Sequence, residues 1–366
     1  MTGALTCPRM SFVAQADSLR AGQITVNSVE PRRGSLRVYL GYAAGVGKTY
    51  QMLDEVQKLR ASGVDVVIGY FEAHGRKDII QKTEGLEIIP RQKIVYRGKP
   101  FEEMDTQAII DRHPAVCAVD EFAHTNVPGS PRAKRWEDVR LIQDAGIDVL
   151  TTVNVQHIES LNDQVWQVTG VRPRETVPDW VVGEADEIVM VDVTLRALIH
   201  RLERGVVYGP AKAQQALENF FTETNLTALR ELALRQTAHQ VEGTQEKSSE
   251  RILIHLTDDP STAMLIRRGK RMADYLNAEC LAVYVAQGSD LPAERKKAVE
   301  RHLGFARSLH IETTVLNAKD AARAIAEFAR ERKVTQLFIS QNSKAAHSLV
   351  NNVREMQVTV VAERRR

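Results

Sequence analysis

Residues 40–53 read LGYAAGVGKTYQML, and this stretch decides the fold. It closes an apolar run, LRVYLGY over 36–42, and opens a helical pattern. In that pattern Met52, Leu53, Val56 and Leu59 recur at helical spacing, with Gly63 as a stop. A glycine-rich turn between a strand and a helix lets consecutive backbone N–H groups and a helix N-terminus converge on anionic oxygens. In such a phosphate-binding loop (P-loop, or Walker A) the glycines allow close backbone approach. The lysine reaches the terminal phosphates, and the threonine hydroxyl ligates Mg²⁺. Gly45, Val46, Gly47, Lys48, Thr49 and Tyr50 form that loop here, so ATP with Mg²⁺ is the expected ligand. One position departs from the pattern. G-x-x-x-x-G-K-T puts its first glycine at position 42, which is Tyr42, while Gly41 comes one residue early. Tyr42 is expected either to distort the turn or to lie over the nucleotide.

A second element agrees with the first. AVCAVDEF, 115–122, is an apolar strand ending in an acidic pair, a Walker B pattern. Asp120 would hold Mg²⁺, directly or through water, and Glu121 would polarise an attacking water. The bland alternative, an acidic pair facing solvent, loses weight beside the glycine loop. Arg76, Arg132 and Arg135 are candidates for a charge-stabilising arginine, although each reads on residue type alone as a surface charge. His74, His124 and His157 fall near the C-terminal ends of expected strands, the edge at which open parallel sheets bind ligands. Lining a nucleotide cleft and a structural role are equally open to them.

Composition bounds the rest. The chain has 366 residues, 43% of them hydrophobic, which is more than one ordinary core accommodates, so two domains are expected. Lys plus Arg number 49 against 47 Asp plus Glu, a net charge of +2 that argues against a dedicated nucleic-acid binder. Cys7, Cys117 and Cys280 lack metal-ligand spacing. The last two lie in apolar, strand-like runs and read as buried free thiols of a reducing compartment. No apolar run approaches the ~18 residues of a membrane span. The N-terminus lacks the pattern of a secretory signal, and a cytoplasmic location follows as the expectation.

Short apolar runs alternate with amphipathic helical patterns, which predicts an α/β fold with mainly parallel sheets. Strands are expected over 36–42, 64–71, 93–96, 115–122, 148–155 and 187–192, then helix from about Ala211 to Val241 with a break near Thr224–Asn225. The polar stretch GTQEKSSE, 243–250, reads as a linker. Beyond it, five strands interleave with four helices. The expected division is a lead-in over 1–34, either poorly ordered or an added helix, a P-loop domain over 35–242, the linker, and a smaller domain over 251–366.

Several blocks are specific. GYAAGVGKTYQML, VDEFAHTNVPGSPRAKRWEDV, AGIDVLTTVNVQHIESLND and ALENFFTETNLTALRELALR lie between about Ser35 and Val241. They closely resemble the N-terminal cytoplasmic region of the KdpD family of potassium-sensing histidine kinases. RILIHLTDDPSTAMLIRRGKRMADYLNAECLAVYV resembles the universal-stress-protein-like domain that follows in that family. The resemblance implies a P-loop NTPase-type parallel sheet followed by a smaller doubly wound sheet. It also implies a cytoplasmic ATP-binding regulatory module of a potassium or osmotic two-component system. Its partner would be a protein, either a histidine kinase or a potassium-transport regulator. This chain departs from the family at Tyr42, where Ala is usual, and at Ala73 within Glu72-Ala73-His74-Gly75-Arg76, where the family carries ETHGR. His124, His157, His239, His302 and His347 all fail the phosphoacceptor pattern, so autokinase chemistry is not expected of these residues.

ATP-binding universal stress proteins carry a glycine nest after the fourth strand. Ser340 to Ser348 contains no glycine, and weak or absent ATP binding is expected there. Some family members bind cyclic di-AMP in this domain. Ala282 and Tyr284 match that pattern, whereas Thr257-Asp258-Asp259 does not, and the two aspartates would repel a phosphodiester. Arg267 and Arg268 could offset them or could be a solvated helix face. Two functional alternatives stay open: a slow ATPase with Glu121 as base, coupled to a partner, and a non-catalytic scaffold whose loop holds only a structural anion.

Overall fold

The computed structural model describes residues 32–73, 75–204, 220–241, 248–288, 292–352 and 356–362. Nearly all of the lead-in, His74, the 211–219 part of the expected long helix and most of the linker lie outside these residues.

The chain enters through β1 (Leu36–Gly41) and passes the glycine loop into α1 (Lys48–Ala61). Met52, Leu53 and Val56 are fully buried, so the apolar stripe read from the sequence is the face laid on the sheet. Ser62 caps α1 and Gly63 follows at φ 88, a left-handed position that suits glycine. Then come β2 (Val66–Tyr70), α2 (Lys77–Lys82), β3 (Glu87–Ile88), β4 (Gln92–Tyr96), β5 (Lys99–Glu103), α3 (Thr106–Arg112), β6 (Val116–Val119), α4 (Arg135–Asp144) and β7 (Asp148–Asn154). Two 3₁₀ turns, Val155–His157 and Glu159–Leu161, lead into α5 (Asn162–Thr169) and α6 (Asp179–Gly183). β8 (Glu187–Val191), α7 (Leu195–Glu203) and α8 (Glu223–Val241) complete this half.

The first sheet runs β3-β2-β6-β7-β1-β8 and is parallel throughout. β2 and β6 are buried along their whole length, because helices cover both faces of a parallel sheet. One expected strand falls elsewhere. β4, the KIVY run, pairs antiparallel with β5 in a separate hairpin. Its burial alternates rather than running continuously, and Arg97 and Gly98 form the turn at φ 51 and 75, as a two-residue hairpin requires. The expected break at Thr224–Asn225 is also displaced. Both residues lie in the first turn of α8, and the non-helical segment ends at Thr222.

The second sheet is built from β9 (Arg251–Leu256), α9 (Thr262–Tyr275), β10 (Glu279–Ala286), α10 (Ala293–Ser308) and β11 (Glu312–Asn317). The chain then adds α11 (Ala321–Glu331), β12 (Gln336–Ser340), α12 (Ala346–Asn352) and β13 (Gln357–Val361). The order β11-β10-β9-β12-β13, all parallel, starts at the centre and winds outward both ways, which is a doubly wound sheet. Both sheets belong to one compact unit, Arg33–Arg366. The end of the expected linker is anchored: Ser248 N donates to Asn277 O at 3.1 Å, and Thr335 donates to the Glu250 carboxylate.

Candidate functional site

β7 lies between β1 and β6, and that single feature of strand order builds the site. The loop after β1 and the acidic pair after β6 face each other across the C-terminal end of β7. A cleft of about 290 Å³ opens there, lined by residues of the glycine loop, by Arg76, Asp120 and Glu121, and by the β7 tip.

Gly45 and Gly47 hold φ values of 87 and 111, which favour glycine, and Gly47 caps α1 from the left-handed region. Gly41 is needed for another reason. A Cβ there would stand 2.6 Å from Val46 Cγ2 and 2.9 Å from Lys48 Cδ. The loop therefore takes its close approach at Gly41, one residue before the standard position. Tyr42 neither distorts the turn nor lies over the cleft. Its ring is fully buried and its hydroxyl donates to Val193 O at 2.9 Å, so it anchors the end of β1 to the segment after β8. Burial pushes the Tyr42 phenol up to about 12. Arg201 of α7 supports the loop from outside, donating to Gly45 O at 3.1 Å and Val46 O at 3.3 Å. Those carbonyls are thus satisfied on the outer side of the loop. Val46 is buried behind the loop, while Tyr50 is exposed on α1 beneath the Lys82 ammonium.

Lys48 and Thr49 are both buried at the start of α1. Lys48 Nζ donates to Ala43 O at 3.3 Å and to Asn154 Oδ1 at the tip of β7. Burial lowers its ammonium to about 8, with Asp120 opposing that shift and Arg76 adding to it. Thr49 Oγ1 donates to Asp120 at 3.2 and 3.1 Å from its two carboxylate oxygens. Asp120 also accepts from the hydroxyl of Thr152 on β7 and from Glu121 N at 3.1 Å. Glu121 is held at φ 58, an uncommon conformation for a side chain of its kind. Its carboxylate stands 3.5 Å from Arg135 Nη1. Gln156 Oε1, on the cleft wall, is a buried acceptor with no partner among the described protein groups.

The three candidate arginines separate. Arg135 is not a surface charge: it is fully buried, stacked 3.6 Å over the Tyr70 ring, and ion-paired with Glu103 at 3.2 Å. Arg132 is bound to Asp138. Only Arg76 lines the cleft. Of the histidines, His124 and His157 line it too. His124 sits between Glu103 at 3.1 Å and Glu175 at 3.5 Å, and His157 Nδ1 lies 2.8 Å from Glu175 O. Burial lowers the His157 pKa.

Sequence reading missed Thr152, Asn154 and Arg201. The polar end of DVLTTVNV was visible, but nothing in it states that β7 lies between the loop strand and the acidic strand. Arg201 meets the loop 156 residues away along the chain and leaves no local signal.

In the second sheet, Arg267 is not offered to a ligand. Its Nε donates to Glu159 Oε1 at 2.8 Å, in the turn after β7. Asp258 is paired with Arg295 at 2.5 Å, and Asp259 accepts from Ser261 N at 2.8 Å and Asn342 Nδ2 at 3.2 Å. Carboxylates thus occupy the crossover between β9 and β12. Cys117 is buried and Cys280 half-buried, both are free thiols, and burial pushes both up to about 12. No helix among the described residues is long and apolar enough to cross a membrane.

Strand order, the glycine loop and the second, doubly wound sheet define an α/β protein with two parallel sheets. The family model for the KdpD osmosensitive K⁺ channel histidine kinase sensor domain matches residues 32–241, and the chain belongs to that family. It is 41% identical over 339 residues to a putative sensor protein KdpD of Synechocystis, covering 87% of this chain and 89% of that protein. It is 42% identical over 325 residues to the sensor protein KdpD of Escherichia coli, covering 85% of this chain and 36% of that protein. For the Mycobacterium tuberculosis sensor protein KdpD the identity is 42% over 333 residues, 87% of this chain and 39% of the relative. The chain thus spans most of the first relative and less than half of the other two. A universal stress protein from Archaeoglobus fulgidus covers 33% of this chain and 96% of its own at 13% identity and a TM-score of 0.26. The family assignment rests on the sequence matches.

Proposed function

We propose that the cleft binds ATP with Mg²⁺ as a regulatory ligand, and that the chain is a cytoplasmic sensory module of a potassium or osmotic two-component system. The observation that carries this reading is Thr49 Oγ1 at 3.1 Å from Asp120 Oδ2, because it joins the start of α1 to the end of β6 at one point. A hydroxyl and a carboxylate so paired suit Mg²⁺, which keeps several waters and takes one or two carboxylates plus phosphate oxygens. Lys48, backed by Gly45 and Gly47, would face the phosphates. An anion beside Lys48 would offset the burial that lowers its pKa.

Regulation rather than phosphoryl donation is favoured because His124, His157, His239, His302 and His347 fail the phosphoacceptor pattern. The protein partner, a histidine kinase or a potassium-transport regulator, would read the state of the module. A ligand can shift such a state only by its differential affinity for the two forms. Titration of the chain with ATP–Mg²⁺ tests the reading: Lys48→Ala should lose binding, and equal affinity in both proteins would overturn it. Stabilisation by ATP also separates this reading from the scaffold alternative.

A slow ATPase is the second reading, favoured by the unusual backbone of Glu121 next to Asp120. The ion pair with Arg135 draws the same carboxylate toward the protein, which supports low turnover. Phosphate release that Glu121→Gln leaves unchanged would remove this reading. A cyclic di-AMP site in the second sheet gains little support, since Asp258 and Asp259 stand at the crossover and Arg267 is engaged elsewhere.

A further inference from the structure

Of the three candidate arginines read from the sequence, two are held in ion pairs. Arg135 is bound by Glu103 and stacked on Tyr70, and Arg132 is bound by Asp138. Arg76 stands apart. It ends the connection from β2 and immediately precedes α2, and its Nε donates to Ala73 O at 3.4 Å. Its side chain lines the same cleft as Lys48, Thr49, Asp120 and Glu121. In the sheet, β2 lies beyond β6 as seen from β1. The cleft therefore has Lys48 on one wall and Arg76 on the other, with the acidic pair between them.

Two cations that line one cleft from opposite walls can both be met by an anion placed between them. One phosphate group held by the glycine loop satisfies Lys48, while reaching the far wall as well takes a longer polyphosphate. We propose that Arg76 contacts the terminal phosphate of a nucleoside triphosphate and makes the cleft discriminate triphosphate from diphosphate. The proposal rests on the nucleotide reading given above. An arginine is suited to this role because its planar fork can donate two hydrogen bonds to phosphate oxygens.

The test is calorimetric titration of the full chain with ATP–Mg²⁺ and with ADP–Mg²⁺, comparing the unsubstituted protein, Arg76→Ala, Arg76→Lys and Lys48→Met. Circular dichroism confirms that each variant is folded. Arg76→Ala should weaken ATP binding by roughly ten- to a hundredfold, the range for a hydrogen bond to a charged group, and leave ADP binding unchanged. Arg76→Lys should recover part of the difference. Lys48→Met should weaken both nucleotides. An Arg76→Ala protein that keeps the ATP to ADP ratio of the unsubstituted chain overturns this proposal alone. Failure of the unsubstituted chain to bind either nucleotide overturns the nucleotide reading and the proposal with it.

Discussion

Arg267 on α9 donates to Glu159 at 2.8 Å, and this ion pair joins the second sheet to the turn that leaves β7. Asn154, which accepts from Lys48 in the cleft, is the last residue of that strand. A short segment therefore touches the candidate nucleotide site at one end and the second sheet at the other. Arg271 reinforces the contact by donating to Ser160 O at 2.8 Å, and Trp180 donates to Ser308 O at 2.8 Å while stacking on His310 at 4.0 Å. The Arg267 and Glu159 side chains are only 14% and 10% exposed. Arg267→Ala should therefore cost about 2–4 kcal/mol, somewhat below a fully buried pair, by leaving Glu159 without its cation. Combined with Trp180→Ala, it should split thermal unfolding into two calorimetric transitions. A single unshifted transition would show that the two sheets are held by other contacts.

The glycines of the loop make separable predictions. Gly47→Ala puts a Cβ at φ 111, where the nearest atom stands 3.7 Å away, so its cost is conformational, about 1–2 kcal/mol. Gly41→Ala meets Val46 and Lys48 side chains directly and must displace them. Gly41→Ala is expected to abolish nucleotide-dependent thermal stabilisation, even though position 41 lies outside the standard loop pattern. Retained stabilisation would show that the loop relaxes around the extra methyl.

Lys48 gives a pH signature with a definite sign. Its folded ammonium titrates at about 8, against an ordinary value of 10.5, so the unfolded chain binds more protons between those values. Stability of the ligand-free protein should rise with pH across that window. Below it, the buried charge costs on the order of 3 kcal/mol as an upper bound. Lys48→Met should raise the melting temperature at pH 7 and flatten the dependence. ATP binding near pH 8 should take up protons, seen as a calorimetric heat that changes with buffer ionisation enthalpy. An unchanged heat across buffers would contradict it.

Arg135 near the cleft is expected to be costly to remove. It is fully buried and pairs with Glu103. Burial pushes the Glu103 carboxyl up, but His124, Val127 N–H and Arg135 together hold it below its usual range. Arg135→Met should destabilise the fold by about 3–5 kcal/mol in urea denaturation, because a charged Glu103 is left behind. Arg135→Met with Glu103→Gln should recover part of that loss. A loss under about 1 kcal/mol for the single variant would mean that the pair contributes only as a surface bridge does.

Much of this protein was legible in the chain. The elements of the second sheet follow the alternation of apolar runs and helical patterns within a few residues, because each run is short and has strong turn signals at its ends. The strand, glycine loop and helix over 36–61 were equally plain, since their geometry is local. KIVY is the strand expected, but its place in a separate antiparallel hairpin was not legible, because periodicity alone does not reveal a partner and the turn at Arg97-Gly98 lacks the usual Asn-Gly or Asp-Gly signal. Arg135 read as a surface charge because residue type carries no information about the Tyr70 ring and Glu103 that enclose it.

The sequence by itself determined the fold class, the family, and the residue types that could meet a phosphate and a metal ion. Those properties rest on local spacing and on which side chains repeat along each element. Only the tertiary structure decided that β7 separates β1 from β6, that Tyr42 turns into the core, and that Arg76 faces the cleft while Arg135 is enclosed behind it. Strand order and burial are set by packing among segments far apart in the chain, and that competition leaves no mark on any single stretch of it.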